Sequence, residues 1–199
     1  MKKHHLVRLL DLTFVFALFD MLKEVGWPWP QTLRGLWNMN SELMRLGASV
    51  LWLAVLWAAQ YRLWDRAERL TGCAVLTGLG QALCVMAVPY MTNLNDNWHK
   101  VRLFQGMLGG TLILVLGFAL LTGRLIQRAN ADNSACGEAV KTHRRTLLVA
   151  LGIIAFGVVL CVIRSQRSVV YSEILSALWM LGTTVAGAIR EERIAGRSV

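Results

Sequence analysis

Charge is distributed along this chain in short clusters, and the stretches between them carry almost none. Such stretches belong to a chain whose solvent is mostly lipid. In lipid the backbone must satisfy its own hydrogen bonds, which leaves helices and closed barrels as the spanning structures. The alternating segments of about ten residues that mark a barrel are absent. Only 17% of the 199 residues are charged, where a soluble domain carries about 25%, and the mean hydropathy is +0.47. The expectation is an all-α, polytopic membrane protein with six transmembrane helices.

A span needs roughly 20 apolar residues. Six candidates meet this, at about 6–22, 43–61, 70–91, 103–126, 146–163 and 169–189. The whole chain, 1–199, then reads as a single integral-membrane domain. The first apolar run follows Met-Lys-Lys-His-His and superficially resembles a signal peptide. It lacks a small-x-small cleavage site, and Asp11 and Asp20 interrupt it, so it reads as a retained first helix. Trp27, Trp29 and Trp37, in the linker 26–40, fit an interfacial aromatic belt. Pro89 is placed to end or kink the third span.

Basic residues orient the spans. With the N-terminus inside, the cytoplasmic side holds Lys2, Lys3, Arg8, Arg62, Arg66, Arg69, Arg124, Arg128, Lys141, Arg144, Arg145, Arg190, Arg193 and Arg197, which is 14 of 21 basic residues. That two-to-one bias predicts both termini in the cytoplasm of a bacterial inner membrane. It also accounts for the net charge of +9 without nucleic acid, since no basic face with interleaved aromatics is present.

No enzyme site assembles. His4 and His5 are terminal, His99 lies beside Lys100, and His143 lies among Lys141, Arg144 and Arg145, none at metal-ligand spacing. The four cysteines form no CxxC pair. Nucleophile-elbow, zinc-protease and phosphate-loop motifs are absent, so no catalytic residue, metal or cofactor is expected. A TVGYG-type filter is also missing, which excludes conventional potassium-channel selectivity.

The first helix carries the most informative charges. Arg8 and Asp11 are three apart and share a face. Either they form a boundary pair with Arg8 snorkelling, or they face a partner or water path. Gln60, Tyr61 and Arg62 enter from the same side on the second helix. They serve either as interfacial anchors or as hydrogen-bonding partners of Asp11 and Arg8. Gln81 is a lone mid-helix amide suited to interhelical bonding. Gly106 and Gly110 form a small-xxx-small pair suited to close helix packing.

Three segments resemble the bacterial relatives of transmembrane protein 175, the endolysosomal potassium channel. Trp57-Ala-Ala-Gln-Tyr-Arg-Leu-Trp64 is similar to that family's W-x-N-H-H-R-L-F, Pro89-Tyr-Met-Thr92 to its P-F-P-T, and Val15-Phe-Ala-Leu18 to its V-F-A-I. The family's F-S-D signature is replaced by Asp11-Leu12-Thr13, and its paired histidines by Gln60 and Tyr61. Leu10 to Leu18 also resembles the F-D-L-V-F-V-F-A-L of the low-temperature-requirement A family.

The first resemblance implies a homotetrameric, potassium-permeable cation channel embedded in membrane lipid, with the first helix of each copy lining the pore. Leu18 and Leu22, four apart, map to its apolar constriction, although ordinary lipid or helix packing is the other role of such leucines. Arg8, Asp11, Thr13, Gln60, Tyr61 and Arg62 map to a polar network bracing the pore helix. The second resemblance implies a non-channel membrane protein that carries a small molecule or stabilises a membrane partner.

Overall fold

The computed structural model describes residues 3–23, 40–97, 102–163 and 168–195, with side chains over 7–21, 23, 46–94, 102–163 and 168–189. Every described element is helical: α1 (Lys3–Lys23), α2 (Asn40–Arg66), α3 (Gly72–Asn97), α4 (Arg102–Ala129), α5 (Ser134–Ile163) and α6 (Ser168–Ala195). The linker 26–40, apart from Asn40, and Leu22's side chain lie outside the described residues.

The helices overrun the expected apolar windows, because a helix continues past the edge of its apolar stretch wherever a cap allows. The largest difference is at α5, expected from about 146 and found from Ser134. Within the polar stretch 129–137 only 130–133 form the connecting turn, and helix resumes at Ser134, because the Asn133 side chain accepts the Cys136 N–H at 2.9 Å and caps the first turn. Thr71 caps α3 in the same way through the Ala74 N–H, at 3.3 Å. Helix α3 runs through Pro89 to Asn97 rather than ending there.

Among the described residues, five helices contain stretches long and apolar enough to cross a membrane: Leu46–Arg66, Gly72–Leu94, Arg102–Ala129, Ser134–Ile163 and Ser168–Ile189. Helix α1 has the length, at 21 residues, but any 18-residue window in it contains Arg8, Asp11 and Asp20. The outer surface is strongly apolar. Leu76, Leu83, Leu103, Phe156, Val162 and Ile163 are each at least 63% exposed, an arrangement for which lipid is the fitting solvent.

The bundle follows a ring in which α3 packs on α4, α4 on α5, α5 on α6 and α6 on α2. Helix α2 also touches α5 and α3, and its Trp52, Leu53 and Leu56 are fully buried in the main core with Leu108, Leu112 and Leu116 of α4. Helix α1 packs against α2 and α3 and so occupies an edge of the bundle.

Small residues let the helices approach closely. A side chain at Gly109 would collide with Val158 across the α4–α5 contact, and one at Gly157 with Ser172 across the α5–α6 contact. The expected pair, Gly106 and Gly110, lies in open space, so the close-packing register falls on Gly109 instead. At the α5–α6 contact the Ser168 hydroxyl donates to the Gly157 carbonyl at 2.8 Å.

Candidate functional site

Contacts between helix ends establish which charges share a side. Asn130, just after α4, accepts the N–H groups of Glu68 and Arg69 with Oδ1 at 3.0 and 2.9 Å. Its Nδ2 donates to the carbonyls of Arg69 and Ile126. This clamp binds the α2–α3 connection to the end of α4. Leu63 and His143 meet beside Gly123, which adds the start of α5. Arg62 donates to the Thr184 carbonyl at 2.9 Å, which adds the end of α6. The bundle therefore gathers Arg62, Arg66, Arg69, Arg124, Arg128, Lys141, Arg144 and Arg145 at one end, the grouping expected from their spacing.

Helix α1 enters from that same end. Its inner face, Leu10, Thr13, Phe14, Ala17 and Met21, is buried. Its outer face carries Leu9, Leu12, Val15, Phe16 and Phe19, all 41–57% exposed. Arg8 and Asp20 are exposed near opposite ends of this helix. Lys23 places its ammonium 5.1 Å from the centre of the Phe19 ring.

The polar residues expected to brace α1 take different partners. Asp11 does tie α1 to α2, but its carboxylate accepts the indole N–H of Trp57 at 2.8 Å. Trp57 lies one turn before Tyr61, and their rings stand 6.5 Å apart at a 56° tilt. Tyr61 is exposed and Gln60 is buried. Thr13 turns its hydroxyl back to the Leu9 carbonyl at 2.8 Å, within α1. Arg62 reaches away from α1 to α6. The physical reason is phase: Gln60, Tyr61 and Arg62 are consecutive, so about 100° of helix rotation separates each from the next.

The same rotation governs the leucines. Leu18 sits one residue, about 100°, from Phe19, and it is half-buried, packed against the main core. The open face of α1 passes through Leu12, Phe16 and Phe19 instead. Leu22 belongs to α1, with its side chain outside the described residues.

A second feature lies at the basic end. A cavity of about 780 Å³ opens between α2, α5 and α6. Arg62, Arg66, Arg145, Glu138 and His143 contribute to its wall. The signal available in the sequence was the arginine clustering itself, which the positive-inside rule already explained. What the sequence did not display is that residues from three separate helices converge. Searches against known protein families, curated proteins and solved structures return no match to this chain.

Proposed function

We propose that this chain is the subunit of a homo-oligomeric, potassium-permeable cation channel of the bacterial inner membrane, with α1 along its axis and both termini cytoplasmic. The observation that carries the proposal is the position and make-up of α1. It is an edge helix with three ionisable residues in any membrane-length window, yet its outer face between the exposed Arg8 and Asp20 is apolar. Ionisable residues in a span are costly against lipid and ordinarily face a bundle interior or a water path. Copies of the same chain around an axis would give α1 such surroundings.

In this arrangement rings of Leu12, Phe16 and Phe19 form the constriction, with Leu18 at its margin against the protomer core. Apolar rings gate by dewetting. The Asp11–Trp57 bond holds the pore helix to α2. The cytoplasmic orientation follows from the arginines gathered at the end where α1 begins.

Potassium-driven flux in liposomes tests the proposal. The wild-type protein should conduct, and Phe16→Ala should conduct faster by widening the ring. No flux from wild type, Phe16→Ala and Leu18→Ala alike would end the channel reading. A monomer in detergent and in bilayer discs would leave no axis, and would favour a carrier of the low-temperature-requirement type.

A further inference from the structure

The cleft between α2, α5 and α6 has a polarity gradient along the helix axes. Its outer layer holds Arg66 and Glu138, its middle layer Arg62, Thr142 and Arg145, and its inner layer Ala59, Val149 and Trp179. From Arg66 to Ala59 the cleft descends about 10 Å, and from Glu138 to Val149 about 16 Å, at the helical rise per residue. The interfacial layer of one leaflet is about 5–7 Å thick. The cleft is therefore deep enough for a phospholipid headgroup and the first carbons of its chains.

Charge selects the sign of the occupant. Among the described residues, three arginines face one carboxylate, Glu138, in the lining. Guanidinium groups bind phosphate through paired, planar hydrogen bonds, which a carbonyl or amide ligand does not match. Arg62 already uses one nitrogen on the Thr184 carbonyl, and that bond fixes its side chain at the cleft wall. A separate observation points the same way. His143 lines the cleft and is only 7% exposed, and its Nε2 is a buried polar atom with no hydrogen-bond partner among the described residues. A buried polar atom normally has a partner, and a turn of the imidazole towards the cleft would bring this one to an acidic oxygen or bridging water of a ligand.

We propose that this cleft binds a phosphate-bearing anion, held by Arg62, Arg66 and Arg145, and that in the membrane the phosphate belongs to an anionic phospholipid headgroup. Basic pockets between membrane helices on the cytoplasmic side suit such headgroups. The site is independent of whether α1 lines a pore.

Native mass spectrometry of the intact protein tests it, with phosphatidylglycerol against phosphatidylcholine of the same chains, and with inorganic phosphate as a soluble competitor. Wild type should retain phosphatidylglycerol preferentially, and Arg66→Gln with Arg145→Gln should lower that preference roughly tenfold. Arg124→Gln with Arg128→Gln removes the same charge from α4, outside the cleft, and should leave it unchanged. Val149→Trp fills the inner layer and keeps the arginines, so it should expel lipid while phosphate still raises the melting temperature. Stabilisation by phosphate with no lipid preference, lost in the cleft variant, would support the anion site with a soluble source. If both double variants behave alike, or neither lipid nor phosphate distinguishes wild type from the cleft variant when circular dichroism shows equal helicity, the proposal is overturned.

Discussion

The indole N–H of Trp57 donates to the Asp11 carboxylate at 2.8 Å, joining α1, at the edge of the bundle, to α2, which packs against four other helices. The bond is charge-assisted and partly buried, and such bonds contribute about 1–2 kcal/mol where the alternative is an unpaired group in an apolar setting. Trp57→Phe keeps the aromatic packing and removes the donor. It should lower the detergent melting temperature, and Asp11→Leu combined with Trp57→Phe should cost less than the sum of the two. Additive losses would mean that the two side chains act independently.

Close approach at Gly157 gives a second expectation. A methyl there meets the Ser172 side chain and the Ser168 carbonyl, which is backbone and cannot rotate away. Gly157→Ala should destabilise by about 1–3 kcal/mol. Gly106→Ala and Gly110→Ala meet open space and should be neutral, or stabilise by up to about 1 kcal/mol through helix propensity. Thermal unfolding of the three variants side by side decides the matter.

Gln81 is fully buried, and neither atom of its amide has a hydrogen-bond partner among the described residues. Interhelical bonding is the expected role of such an amide, and the described residues do not provide it. An unpaired amide in an apolar setting costs about 1–3 kcal/mol on mutational evidence. Gln81→Leu, close in volume, should therefore raise the melting temperature. A clear drop would show that the amide holds a water or ligand that matters to the fold.

Hydropathy made the six helices legible because lipid imposes length and apolarity on any segment that crosses it. Helix ends were less legible. The start of α5 depends on Asn133 acting as a cap, and a stretch rich in Asn, Asp and Ser reads equally well as a loop. The basic end was foreseeable from spacing, since alternate helix ends must coincide in an antiparallel bundle. Side-chain partners were not. Asp11 chose Trp57 over Gln60 or Tyr61, and Arg62 chose Thr184, because rotation about each helix axis is set by packing against neighbours remote in sequence. For the same reason Phe16 and Phe19, rather than Leu18, occupy the open face of α1.

The central claim is that α1 of one copy meets α1 of others around an axis. Single cysteines at Leu12, Phe16 and Phe19, introduced in a Cys73→Ser background because Cys73 is the exposed native thiol, test it in membranes with a short bifunctional maleimide. Our account predicts cross-linked species at these positions, ending at a closed oligomer, and none from cysteines at the still more exposed Leu83 or Phe156 on other outer faces. Monomer alone at all three α1 positions would contradict it.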